Sequence, residues 1–494
     1  EWGDDAIYDP AAVDARATPG TEYFDELRFH WFVQFHLHQQ LNAAADHVRS
    51  RGIALKGDLP IGVAPESVDV WTQPELFNVG TQTGAPPDAF SIRGQNWEFP
   101  TYNWPRMAED GYAWWQARFR AFAAYVDVYR IDHVLGFFRI WEIPPDGYDG
   151  LVGHFRPTLP LAAGELRAAL GKPDLDALTK PFVDESVLAE RFGEDAEMIR
   201  EEFFVDWAHG LRFARDLAAQ RAIRASFAAG VLDQLPQATR ARLERELLDL
   251  AADSLLFEIE GGYSPAIAWR DSEHYRQLPE AKQQAFDELA LDFFHHRHDQ
   301  MWEAQGRQAL PAVVGATDLL ACGEDLGMVP DIVPHIMNEM GLLSLEIERM
   351  PKRLGEWIAD PASAPYLSVV SPGTHDTTTL RQWWREDPEL IGRYWREALG
   401  GFGEPPEHLD GESATRIVVR QLASPAMLCV IPIADLLATD DTLRRTDADA
   451  ERINDPSNRH NPWKYRLHLS VQELQGATEF NATLRDLISG SGRW

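Results

Sequence analysis

Cysteine is scarce: 494 residues contain two, Cys322 and Cys429. That scarcity excludes a disulfide-stapled secreted scaffold. Each cysteine lies inside an apolar run that reads as a core strand, so buried free thiols in a reducing, cytoplasmic setting are expected. Long hydrophobic runs are missing too. No stretch reaches about 18 apolar residues and the start does not read as a signal peptide, which argues against a membrane-spanning or membrane-bound protein. Positive charge is in short supply, with Lys+Arg 46 against Asp+Glu 78 and a formal net charge of -32. Nucleic acid and anionic membrane reward basic patches, so neither is expected as a partner. The acidity needs no explanation beyond solubility. The chain also lacks an initiating Met, opening on "EWGDDAIYDP", as a fragment would.

What is present is ample apolar material. With 45% hydrophobic and 11% aromatic residues, the chain can bury a large interior, and disorder is unexpected. Its length suggests two or three domains, or one large domain with an insertion. Residues 24–51 carry apolar side chains at helical spacing and stop at Gly52, a natural C-terminal cap. Then "IALKGDLPIGV" reads as a short buried strand whose last residues are polar. The pattern recurs in "VYRIDHV", "DLLACGEDLG", "LLSLEIERM", "LSVVSPGTHD" and "LCVIPIADLLA", with helical sequence in several gaps.

Alternating helices and buried strands imply a parallel sheet. Polar groups gathered at carboxyl strand ends imply a site on one face of a (β/α)8 TIM barrel. Six such strands are legible where a closed barrel needs eight, so the first two are expected upstream of Glu1. Residues 1–144 are expected to supply strands about 3–4, residues 301–494 strands about 5–8 and C-terminal helices. Within residues 145–300 the stretch "AEMIREEFFVDWAHGLRFARDLAAQRAIRASFAAG" reads as helical throughout, and the region is expected to be a large, mostly helical insertion. Its "HHRHD" at 295–299 has metal-ligand residue types, but polar residues on successive turns are more commonly solvated.

Three acids stand at proposed strand tips: Asp132 in "RIDH", Glu324 in "CGEDLG" and Asp376 in "GTHDTTTL". No local helix or turn relates them, yet strand ends distant in sequence converge on one barrel mouth. A lone Arg-x-Asp in an apolar run is ordinarily a structural ion pair. Three converging carboxylates repel one another unless chemistry needs them. Glycosidic bond cleavage does, because its transition state resembles an oxocarbenium ion. One carboxylate attacks the anomeric carbon, a second, held protonated, donates to the leaving oxygen, and a third stabilises the sugar. Arg130 should share the strand face of Asp132 and keep that carboxylate ionised. The loop "DAFSIRGQNWEFPTYNW" at 88–104 offers aromatic faces and hydrogen-bonding rims suited to sugars, or a hydrophobic plug.

The motifs "GDLPIGV", "GAPPDAFS", "GQNWEFPTYNW", "YRIDHVLGFFRIW", "CGEDLG", "GTHDTTTLRQWW" and "ERINDPS" occur in this order. Together they resemble the 4-alpha-glucanotransferases, the amylomaltase or disproportionating-enzyme family of the alpha-amylase clan. The long insertion resembles the larger, plant-cytosolic type. The resemblance implies Asp132 as nucleophile, Glu324 as general acid/base and Asp376 as transition-state stabiliser. Asp58, Arg130, His133 and His375 would surround the sugar at the cleavage point. Asp88, Gln95, Trp97, Arg452 and Asn454 would line donor and acceptor subsites. It also implies retaining transfer between maltose, maltooligosaccharides and alpha-glucan polymers such as starch or glycogen, with no metal or organic cofactor. Two departures stand out: Glu98 where the family usually has Gly, and Ala434 where it usually has Gln. Two rival readings are an alpha-glucan hydrolase of the same clan and an inactive glucan-binding fragment.

Overall fold

The computed structural model describes residues 6–88, 91–208, 210–353, 355–456, 458 and 461–493. The chain divides into two compact units. One comprises Glu1–Ala43, Gly62–Ala121 and Gly136–Ala316, the other Ala44–Ile61, Phe122–Leu135 and Thr317–Trp494.

The second unit is built on six short strands: β1 (Lys56–Leu59), β2 (Val128–Ile131), β3 (Leu320–Gly323), β4 (Ser344–Ile347), β5 (Ser368–Ser371) and β6 (Leu428–Cys429). All pairings are parallel. β2 lies between β1 and β3, with Leu59 and Gly323 both opposite Ile131. β5 lies between β4 and β6. β3 reaches the β4 segment through a bridge from Cys322 to Leu343, where Gly323 N–H donates to the Leu343 carbonyl at 2.8 Å. Spatial order therefore follows chain order across all six strands. They are the six segments read from the sequence as buried strands.

The inner segments become parallel strands because their apolar residues can be buried on both faces, while the outermost two, β1 and β6, stay partly exposed. Cys322, Leu343, Leu345, Ile347 and Val369 form one core cluster. Helix Gly411–Leu422 buries Ala414, Ile417, Val418 and Leu422 along one stripe, the 3.6-residue period of an amphipathic helix. Gly323 is needed for packing, since a Cβ there would stand 2.8 Å from Met337 and 2.9 Å from Val134. A larger residue would displace the strand end that carries Glu324.

The first unit contains the segment expected to be a helical insertion, and here the helical reading needs correction. Helices Ala196–Phe203, Gln220–Ala228 and Gln237–Ala252 form as expected. Between and after them, however, Phe204–Trp207 pairs antiparallel with Gly210–Phe213, and Leu256–Ile259 with Gly262–Pro265. In the first hairpin Phe204 and Phe213 are buried beside exposed Val205 and Arg212, and this alternation favours a half-buried strand over a helix. The "HHRHD" segment is not simply solvated either. His298 is fully buried, its Nδ1 accepts the Leu159 N–H at 3.2 Å, and its ring packs on Phe293 and Trp302. Burial pushes its pKa down to about 4, so it serves as a neutral core acceptor.

Helix Phe24–Ser50 forms where expected but buries only Ala45, leaving Phe29, Trp31, Phe32 and Phe35 exposed. Among the described residues no helix is long and apolar enough to cross a membrane. Both cysteines are free thiols.

Candidate active site

Parallel register places the polar groups. Asp58 sits directly opposite Arg130 on the neighbouring strand, so both side chains leave the same face of the sheet. The guanidinium forks onto that carboxylate, Nε to Oδ1 at 2.8 Å and Nη2 to Oδ2 at 2.5 Å. Asp132 and Glu324 are the first residues beyond β2 and β3, and both continue the ladder. Asp132 N–H donates to Leu59 at 3.0 Å, Glu324 N–H to Ile131 at 2.9 Å, and Val134 N–H to Glu324 at 3.0 Å. The two acids therefore emerge side by side at the carboxyl edge.

His133 explains how the strand end is turned. Its φ is 48°, a left-handed conformation uncommon outside glycine, and its N–H donates to Glu324 Oε2 at 3.0 Å. Leu326 N–H donates to Oε1 at 2.9 Å, so two backbone donors fix the Glu324 carboxyl. The His133 ring stands 4.0 Å from the same carboxyl.

Asp376 follows β5 in a tight turn. His375 Nε2 lies 3.1 Å from its Oδ2, and Asn454 Nδ2 donates to its Oδ1 at 2.7 Å. Asn454 N–H donates to the His375 carbonyl at 3.1 Å, while Arg452 Nε donates to the Asn454 carbonyl at 2.9 Å. The "ERINDPS" segment, of which Ser457 lies outside the described residues, thus holds the third acid in place.

The electrostatics separate the three carboxylates. Glu324 is pushed up to about 7 by burial, reinforced by the Asp132 charge and opposed by the Leu326 N–H. Asp132 is pushed up to about 6 by burial, opposed by Arg130 and reinforced by Asp58 and Asp376. Burial also acts to raise Asp376, but the hydrogen bonds from His375 and Asn454 outweigh it and hold this acid below its ordinary value. His375 is raised in turn by that bond. Arg130 divides its charge between two acids. Its fork is taken up by Asp58, and it reaches Asp132 only at 3.4 Å, so it limits the rise of Asp132 without reversing it.

Nine of the twelve site residues read from the sequence lie in the second unit: Asp58, Arg130, Asp132, His133, Glu324, His375, Asp376, Arg452 and Asn454. The other three lie in the first. There Asp88 accepts the Ser91 N–H at 2.7 Å, the Gln95 side chain accepts the Trp97 indole N–H at 3.0 Å, and Trp97 stacks on Phe99 with ring centres 5.8 Å apart. Phe90 of that loop lies outside the described residues. Among the described residues no cluster of three His, Cys, Asp or Glu is arranged to hold a metal ion.

Two acids on adjacent strand ends, one near neutrality and one ionised below it, form an arrangement suited to cleaving glycosidic bonds. The sequence profile of the 4-alpha-glucanotransferase family matches residues 1–471. The chain belongs to this family.

Among relatives of this 4-alpha-glucanotransferase family chain, 4-alpha-glucanotransferase DPE2 of Oryza sativa subsp. japonica is 37% identical over 497 residues. That alignment covers 100% of this chain and 52% of the rice protein. A Chlamydia pneumoniae 4-alpha-glucanotransferase is 23% identical over 477 residues, covering 95% of this chain and 62% of its own length. The chain thus spans about half to three-fifths of these relatives. A solved amylomaltase from Streptococcus agalactiae, in complex with acarbose, shares the fold at a TM-score of 0.58 and 18% identity, over 100% of this chain and 68% of that one.

Two residues at the site were missed in the sequence. Arg349 is tied to the turn that carries Asp376, through the Pro372 carbonyl at 2.9 Å, Thr377 Oγ1 at 2.9 Å and the Thr378 carbonyl at 2.6 Å. Its signal was a cation closing the apolar run "LSLEIERM", without the acid two residues further on that singled out Arg130. Trp463 stands 61% exposed with its ring 5.9 Å from that of His375, and nothing local in the sequence announced this. Of the two departures from the family pattern, Ala434 is buried in helix Ile433–Leu437. Glu98 adopts φ 63°, which explains why glycine suits that position.

Proposed function

We propose that this chain carries the catalytic machinery of a 4-alpha-glucanotransferase acting by retaining double displacement. The observation that carries the reading is the pair Asp132 and Glu324 on adjoining strand ends, with the second acid held closer to neutrality. Asp132 attacks C1 of the donor sugar while Glu324 gives its proton to the departing glycosidic oxygen, leaving a glycosyl ester on Asp132. Glu324, now a carboxylate, takes the proton from a 4-hydroxyl of the acceptor, whose oxygen displaces Asp132 from C1. Both the bond and the proton are restored. Asp376, kept ionised by His375 and Asn454, faces the positive charge that develops at the sugar ring. No metal or organic cofactor enters these steps.

Donors and acceptors are maltose, maltooligosaccharides and alpha-glucan polymers. A bound sugar outcompetes water through its high effective concentration at the site. The six-strand sheet belongs to an eight-strand TIM barrel, completed by two strands that precede β1, with residues 145–300 as the insertion. Two free thiols, Cys322 buried and Cys429 half-buried, favour the cytoplasm.

The test is incubation with maltotriose. Longer oligosaccharides together with glucose are expected. Glucose and maltose without elongation would point instead to a hydrolase, and binding without turnover to an inactive fragment.

A further inference from the structure

The first unit carries a half-open cavity of about 710 Å³ between residues 144–154, 176–183, 212–220 and 251–259, within the range of small-molecule sites. It belongs entirely to the unit that lacks the three catalytic acids. Its chemistry is balanced. Arg212 and Arg215 face into it together with Asp146 and Glu258, and none of these four side chains makes a hydrogen bond or ion pair among the described residues. Two cations and two anions that leave one another unpaired around a cavity supply separate donors and acceptors. Phe213, buried, and Phe257, half-buried, add apolar faces to the wall.

This set discriminates among ligands. A phosphate or other anion would meet the two carboxylates, and a cation the two guanidinium groups, so each is repelled by half of the rim. A neutral polyol is not. Its hydroxyls donate to carboxylates, accept from guanidinium groups, and its C–H faces pack on phenyl rings.

We infer that the cavity lined by Arg212, Arg215, Asp146 and Glu258 is a second oligosaccharide-binding site, separate in sequence and unit from the catalytic acids. The choice of an alpha-1,4-glucan as occupant rests on the glucanotransferase reading above, while the preference for a neutral polyol does not. Its use is anchorage, because a long glucan held by one stretch of its chain presents its remaining residues at raised local concentration.

The experiment is calorimetric titration of maltoheptaose into the whole chain carrying Asp132→Asn to prevent turnover. Two classes of binding site are expected. Adding Arg212→Ala, or separately Glu258→Gln, should weaken one class about tenfold, as loss of a charge-assisted hydrogen bond does, and leave the other class intact. Both side chains are exposed, so an unchanged melting temperature should confirm folding, and Asp146→Asn offers an independent third variant. A single binding class unaffected by all three variants overturns the site, as does displacement of maltoheptaose from it by inorganic phosphate. Absence of maltotriose elongation by the unsubstituted chain would overturn the catalytic reading, yet leave the second binding class and its response to these variants in place.

Discussion

Replacing Asp58 with Asn tests how the nucleophile is tuned. On the proposed mechanism the competent form has Asp132 ionised and Glu324 protonated, and the pH dependence of kcat/KM reports both groups in the free protein. With Asp132 at about 6 and Glu324 at about 7, the profile is a narrow bell centred near pH 6.5. Only about 0.6 of the protein is competent at its peak, and about 0.09 at pH 5 or pH 8. Asp58 acts on Asp132 twice, as a like charge that raises it and as the group that occupies the Arg130 fork at 2.8 and 2.5 Å. Asp58→Asn removes the like charge and frees the guanidinium, so the acid limb should move down by about one unit. Activity at pH 5, relative to each variant's own maximum, should then rise from about 15% to about 60%. Initial rates of maltotriose disproportionation at low substrate, from pH 4 to 9, measure this. Normalising each profile to its own maximum removes any uniform loss of sugar binding. An acid limb that stays in place or moves upward would refute the assignment of that limb to Asp132.

Asp132→Asn should lower turnover at least about a thousandfold while preserving the melting temperature, because it removes the nucleophile and keeps the shape; normal turnover would refute its role. Glu324→Gln should abolish transfer yet stabilise the fold at pH 8. The folded carboxyl sits at about 7 against an ordinary 4.5, so its ionisation costs stability that is absent below about pH 4.5, grows up to about pH 7 and then levels off. The shift is worth about 3.4 kcal/mol and one weakened backbone hydrogen bond costs about 1 kcal/mol at either pH, so urea unfolding should show the variant about 2 kcal/mol more stable at pH 8 and about 1 kcal/mol less stable at pH 4; a variant less stable at pH 8 contradicts this. Glu98→Gly, at φ 63°, should raise stability by about 0.5–1 kcal/mol, since relief of left-handed strain exceeds the added chain entropy. A lowered urea midpoint would show that the side chain of Glu98 contributes more than its backbone costs.

The six strands, their order and the acids at their tips were legible because a buried parallel strand writes a continuous apolar run and a functional strand end interrupts it. The hairpins at 204–213 and 256–265 were not, because their alternation is short and lies between strong helices. Local sequence therefore determined which residues stand at strand ends, including Asp58, Arg130, Asp132, Glu324 and Asp376. Tertiary structure alone decided how their charges are shared. Register across β1 and β2 gave the Arg130 fork to Asp58, a left-handed His133 pointed a backbone donor at Glu324, and residues 452–454 returned from the far end of the chain to hold Asp376. Charge sharing depends on distances of a few ångströms between segments up to hundreds of residues apart, and electrostatic energy at that range is set by placement, which no local pattern encodes.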